Sequence, residues 1–307
     1  MSAPDAILDT PAAAEAPLAR TRPFYWSVRR EVWENGSIYV APAIAAGVVL
    51  IGLLIGAINL PRNVMQQVQT LAPADRAMAI AIPFDIAAAI VLVTSFVVGF
   101  FYCLGALHGE RRERTILFWK SLPVSDLTTV AAKATVPMLV LPIVTFLVVV
   151  AMHLVMLIAS TVMLPTAGLP ATLLWLEVPL AETWFHLAVL LACMSLWYAP
   201  LWGWLLLVSG WAKRVTFLWA VGPPIALSVF EQLAFRTKYV DALIRYRLSG
   251  GLTELYAARF SGRGNVKFDD HLDPAKFFSA PGLWIGLVVA AAFFAAVVWQ
   301  RRYRTPI

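Results

Sequence analysis

Cysteine is scarce in this chain: Cys103 and Cys193 are the only two among 307 residues. Both fall inside long apolar runs, without ligand-like spacing, so neither a disulfide framework nor a thiolate metal site is indicated. Histidine is almost as rare. His108, His153, His186 and His271 are scattered, and no His-Glu-x-x-His zinc motif occurs. The phosphate-loop pattern Gly-x4-Gly-Lys-Ser/Thr is missing too, because Gly262-Arg-Gly264 lacks both the spacing and the Lys-Ser/Thr end. There is no Gly-x-Ser-x-Gly nucleophile turn. Ser195 and His153 supply a nucleophile and a base in kind, but nothing in the sequence brings them together. The sequence therefore points to no catalytic residue, no metal and no cofactor held by this chain.

Charge is thin as well, at 14% of residues, while 60% are hydrophobic and the mean hydropathy is +0.75. Soluble domains carry roughly 45–50% apolar residues, so the composition excludes an ordinary soluble globule. A bilayer core takes about 20 mostly apolar residues per spanning helix. Six runs meet that length, at about residues 38–58, 84–107, 136–159, 184–208, 215–235 and 283–299. They are continuously apolar, without the alternation of an outer-membrane barrel. The expected fold class is an all-α polytopic membrane protein with six transmembrane helices.

Six spans place both termini on one side, and the basic residues choose that side. If it is the cytosol, the inner segments hold fourteen of the 24 basic residues, including Arg29, Arg30, Arg111, Arg112, Arg114, Lys133, Lys213, Arg214, Arg301 and Arg302. The short outer connections hold only Arg62 and Arg76. Short-loop bias of this kind sets orientation. Both termini are expected in the cytosol of a bacterial inner membrane. The net charge of +6 is largely explained by these membrane-edge residues, so nucleic acid is not an expected partner.

Residues 1–20 are Ala- and Pro-rich and carry Asp5, Asp9 and Glu15. Without the basic start and apolar core of a signal peptide, they read as a disordered cytosolic tail. Residues 21–36 mix Phe24, Tyr25, Trp26 and Trp33 with Arg29, Arg30, Glu31 and Glu34, which suits a helix lying in the membrane interface. Residues 37–307 form the six-span unit. Aromatic residues at span ends (Trp184, Trp202, Trp204, Trp211, Trp299, Tyr303) read as interface anchors.

The most informative stretch is His108-Gly-Glu-Arg-Arg-Glu-Arg-Thr-Ile-Leu-Phe-Trp-Lys-Ser-Leu-Pro-Val-Ser-Asp126, dense in charge yet pinned between two apolar runs. Glu110 and Arg114 stand one helical turn apart and can pair, worth a few tenths of a kcal/mol. Ile116, Phe118, Trp119 and Leu122 offer an apolar face, and Pro123 ends the helix. This segment, with Lys133 at the next span, resembles the cytosolic loop of ABC-2 type permeases, the membrane subunits of bacterial ATP-binding cassette exporters. The specific likeness covers about 25 residues and ends in Leu-Pro-Val-Ser. The resemblance implies a cytosolic coupling helix between spans two and three, within a loop at 108–133. Its ATPase-coupling interface would comprise Glu110, Arg111, Arg112, Glu113, Arg114, Leu117, Phe118, Lys120, Leu122, Pro123 and Ser125. The implied partners are a cytosolic ABC ATPase subunit, which would hold ATP and Mg, and a second permease copy, most simply in a homodimer. The implied function is outward transport of an amphipathic or hydrophobic substrate. A different class of reading is a non-transporting scaffold or sensor whose basic loop binds a regulator or anionic lipid.

Ionisable groups inside spans are costly and default to functional hypotheses. Asp85, His153, His186 and Glu231 are the candidates. His153 lies deepest and reads either as a pathway residue or as a neutral histidine bonded to a neighbouring helix. Gly222-Pro223-Pro224 breaks the span of Glu231, leaving a pathway-lining bend and a kinked packing helix both open. Gly52-Leu-Leu-Ile-Gly56 admits close approach of a neighbouring helix, in this chain or another. The outer segment at 236–280 is longer than in a minimal ABC-2 permease. It reads as helical at 239–248 and 252–260, separated by Gly250-Gly251, and as a charged loop at 262–273.

Overall fold

The computed structural model describes residues 22–59, 70–112, 124–163, 165, 180–261 and 265–303. Helix α1 spans Pro23–Glu34, α2 Ser37–Asn59, α3 Pro73–Ala106 and α4 His108–Arg112. Helix α5, Asp126–Thr135, runs through a single π turn at Val136–Val140 into α6, Leu141–Met163. Then come α7 (Leu180–Trp197), α8 (Ala199–Trp211), α9 (Thr216–Phe235) and α10 (Tyr239–Leu255). An antiparallel hairpin, β1 (Tyr256–Ser261) and β2 (Asn265–Leu272), is followed by α11 (Pro274–Ser279) and α12 (Pro281–Tyr303).

Among the described residues, six helices are long and apolar enough to cross a membrane, as the composition requires. Their boundaries depart from the hydropathy runs in instructive ways. Helix α3 extends eleven residues before Phe84, and its 34 residues make it about 51 Å long at 1.5 Å per residue, well beyond a bilayer core of about 30 Å. The third span begins ten residues early, as α5, so Lys133 belongs to the same rod as the apolar run. The fourth run is two helices and not one. Pro200, in the first turn of α8, has no N–H to continue the ladder, and the axis breaks at Tyr198.

Large apolar side chains such as Ile44, Val48, Val93, Leu233 and Val288 face outward, as a lipid-solvated surface demands. Among the described residues the interior forms three clusters. Met152, Met156, Val91 and Ala87 join α3 and α6 beside α2. Tyr102, Val130, Trp202, Leu206 and Val297 join α3, α5, α8 and α12. Trp197, Leu255, Phe277 and Leu283 close the end that carries the hairpin. Helices α8 and α12 meet where Gly203 leaves room; a Cβ there would sit 3.0 Å from Phe293 Cβ. Trp202 and Trp204 are therefore packing residues, Trp202 being buried in the core, and not the interface anchors expected.

Two glycine readings change. Gly250-Gly251 does not interrupt α10; the helix runs through both. A Cβ on Gly251 would lie 2.8 Å from the Trp197 ring, so the missing side chain admits the indole. The expected second helical pattern at 252–260 ends at Leu255 and continues as β1. Residues 262–264 lie outside the described residues, and β2 occupies most of the expected loop. Gly52 and Gly56 have no described atom within 4 Å of an added Cβ, so the close approach expected there is not made within the described chain.

Candidate functional site

The face that carries α1, α4, α5 and the end of α12 concentrates the buried charge. Glu31 projects from α1 and is only 2% exposed. Its carboxylate accepts hydrogen bonds from Lys133 Nζ at 2.9 Å, Tyr102 Oη at 2.9 Å and Arg30 Nη2 at 2.8 Å. Lys133 also lies 3.0 Å from Glu110 Oε1. Arg301, on the last turns of α12, donates from Nη1 to Glu110 Oε2 at 2.7 Å and from Nε to Asp126 Oδ1 at 2.9 Å. Arg30 reaches Glu110 at 3.4 Å and Glu34 at 3.5 Å. At the rim, burial holds the Glu34 carboxyl above the usual carboxylate range, against the pull of Arg30.

Three cations (Arg30, Lys133, Arg301) thus meet three inner anions (Glu31, Glu110, Asp126), with Glu34 at the edge. Such a network is favourable only as a set, because each charge removed leaves a buried partner uncompensated. Glu110 and Asp126 stand at the two ends of the segment 113–123, and Arg301 holds both. A single guanidinium fork from the last span therefore ties the entry and exit of that segment.

Hydrogen bonds set the local backbone. Ser209 Oγ, on α8, donates to Leu104 O at 2.8 Å and accepts from Leu107 N and His108 N, fixing the step from α3 to α4. His108 Nδ1 bonds Ala212 O, and Arg111 Nη1 donates to Gly210 O. Ser125 caps α5 by accepting from Thr128 N at 3.1 Å.

Of the expected coupling residues, Glu113, Arg114, Leu117, Phe118, Lys120, Leu122 and Pro123 lie outside the described residues. The expected pairing with Arg114 lies outside the described residues, and other elements hold Glu110. Its carboxylate turns inward to Lys133 and Arg301, side chain 10% exposed, because these cations are already fixed by α5 and α12. Arg111 donates to Gly210 O at the end of α8, and Ser125 serves as the cap of α5. Arg112 is exposed.

The expected pathway residues do not come together. His153 is fully buried between three spans. Its Nε2 bonds Phe84 O at 3.1 Å, while Nδ1 accepts from Trp184 Nε1 at 3.4 Å. Those two bonds fit the neutral Nε2–H ring. Glu231 accepts from Thr237 Oγ1, Tyr239 N and Val240 N at 2.6–2.8 Å, capping α10 from the end of α9. Pro223 and Pro224 do not break α9, which is continuous. Pro224 frees the carbonyl of Ala220, and Trp204 Nε1 takes it at 3.0 Å. Asp85 is on the exposed side of α3, and His186 lies 4.0 Å from Glu182. Ser195 bonds Leu191 O and makes no pair with His153.

A second feature lies within the spans. A cavity of about 390 Å³ sits between α3, the π turn, α6, α7 and α10, lined by Phe96, Pro137, Met194, Tyr198, Trp202 and Leu252 among others. Its walls are apolar apart from a few hydroxyls, including the Ser95–Thr145 pair at 2.7 Å. It is large enough for an acyl chain or a flat hydrophobic solute. No grouping of His, Cys, Asp and Glu among the described residues could hold a metal ion. Comparison with family models, with curated proteins and with solved structures yields no match.

Sequence reasoning missed Glu31, Tyr102, Asp126 and Arg301 as partners in one cluster. A signal existed for Glu31: an acidic residue following two arginines in an otherwise lipid-seeking helix requires a fixed cation. Arg301 gave none, since basic residues after a last span are the rule.

Proposed function

We propose that this chain is the permease subunit of an ATP-driven exporter of the ABC-2 type, embedded in the bacterial inner membrane with both termini cytosolic. The observation that carries the proposal is the position of Arg301. It grips Glu110 and Asp126 at the two feet of the segment whose sequence resembles a coupling helix. Force applied to that segment reaches α12 through Arg301, α1 through Glu31 and α6 through Lys133. A cytosolic ABC ATPase, holding ATP and Mg, supplies that force. The membrane subunit needs only to bind its ATPase differently in two states. A second copy of the chain completes the pathway, most simply as a homodimer. The apolar cavity with its few hydroxyls supports a hydrophobic or amphipathic substrate.

The test is capture of the ATPase. The tagged chain, expressed with the proteins encoded beside it, is purified in mild detergent and its retained Walker-type ATPase is quantified. The variant carrying Leu117→Asp, Phe118→Asp and Leu122→Asp is expected to retain none while eluting as a folded membrane protein. A native chain that is folded and captures no ATPase would sink the proposal in favour of a scaffold or an ion-coupled carrier.

A further inference from the structure

On the same face as the charge cluster, a second cavity of about 500 Å³ lies between α4 and the link from α8 to α9. Its walls carry His108, Arg111, Arg112, Lys213 and Arg214, and no described carboxylate lines it. The contrast with the neighbouring cluster is sharp, since there every cation meets an anion within 4 Å. Arg112, Lys213 and Arg214 have no carboxylate partner among the described residues. The cavity is also built rather than incidental. His108 is fixed to Ala212 O at 3.2 Å and Arg111 to Gly210 O, and Val215 holds a left-handed backbone (φ 49°) that turns the link around the opening. A β-branched residue is rarely found there.

What adjoins the basic wall indicates where the ligand comes from. The first turn of α9 exposes Phe217, Leu218 and Trp219, and Trp219 meets Trp211 edge-on at 4.8 Å. Exposed indoles beside clustered Lys and Arg mark the depth of lipid headgroups.

We propose that this cavity binds a phosphate group, presented by an anionic phospholipid of the adjoining leaflet. Two arginines and a lysine with no counter-anion among the described residues supply the charge-assisted donors that phosphate oxygens take. Occupancy would fix the link between the fourth and fifth spans, so bilayer composition would set how firmly α9 is held. The inference requires only the membrane-spanning fold and the cavity, and it stands or falls separately from ATPase docking.

The experiment uses the full chain in nanodiscs of phosphatidylcholine alone, of phosphatidylcholine with phosphatidylglycerol, and of phosphatidylcholine with inorganic phosphate added. Thermal unfolding and lipid retention in native mass spectrometry are read for the native chain and for R112Q/K213Q/R214Q. Each basic residue near an anionic surface contributes roughly a fivefold factor, so phosphatidylglycerol affinity should fall on the order of a hundredfold in the variant. Its unfolding midpoint in phosphatidylcholine should match the native one. Stabilisation by phosphatidylglycerol that disappears in the variant supports the lipid source. An equal response to inorganic phosphate, also lost in the variant, supports the phosphate site with a soluble source. No response to either, or a phosphatidylglycerol preference undiminished in the variant, overturns the proposal. If the triple variant does not fold, K213Q/R214Q, altering two exposed link residues, carries the same comparison.

Discussion

Arg301→Gln is the sharpest perturbation of the charge cluster. The side chain is 4% exposed and makes two charge-assisted bonds, at 2.7 Å to Glu110 and 2.9 Å to Asp126. Losing one member of a buried pair costs about 3–5 kcal/mol, mostly because the partner is left uncompensated. Two facts place the expectation at the lower end. Glu110 keeps Lys133 at 3.0 Å, and the Asp126 side chain is 27% exposed, so water replaces part of what it loses. We expect a loss of about 3 kcal/mol in unfolding free energy, measured by denaturant titration in mixed micelles. Arg301→Lys should recover part of it, because an ammonium keeps the charge without the fork that spans two carboxylates. Adding Asp126→Asn to Arg301→Gln should cost less than the two separate losses together, by about 1 kcal/mol, as residues sharing one network do. A variant within about 0.5 kcal/mol of the native protein, with strictly additive pairs, would refute the argument and class the contacts with ordinary surface ion pairs.

Other substitutions separate strut from pathway. His153→Ala removes a fully buried ring bonded to two other spans and should destabilise by about 3 kcal/mol in the same titration; transport lost without any fall in stability would instead assign His153 to the path. Glu231→Ala removes the carboxylate that caps α10. Amide exchange at Tyr239 and Val240 should quicken by roughly 5–30-fold while the global midpoint barely moves; unchanged exchange would contradict the capping role. Gly251→Ala must displace the Trp197 ring and should cost about 1–3 kcal/mol, whereas Gly47→Ala, with open space around it, should cost nothing; equal effects at the two positions would count against the contact.

The number of spans could be read from sequence because hydropathy and length suffice for it. Contacts within the spans could not. Glu31 and Lys133 are 102 residues apart and Glu110 and Arg301 191 apart, and each alone looks like a membrane-edge charge. Gly250-Gly251 and Pro223-Pro224 carry the usual signals of broken helices, yet Trp197 and Trp204 from other elements reverse both meanings. Glu231 suggested a pathway because an ionisable residue near a Pro-Pro pair is rare in a span, although its partners lie only six to nine residues onward. Chain-local rules cannot anticipate a tryptophan arriving from elsewhere.

The π turn at Val136–Val140, closed by Leu141 N donating to Val136 O, holds one residue more than the α-helix around it needs. One residue is about 100° of rotation. The extra residue thus sets the phase between two halves of a rod: on one side Lys133 aims at Glu31 and Glu110, on the other Thr145 meets Ser95 and His153 meets Phe84. Deleting any residue of the turn would leave a regular helix that satisfies either set of partners but not both. Migration of the turn along the rod would rotate only the residues it passes, a way of turning a stretch of one span while both ends stay bonded.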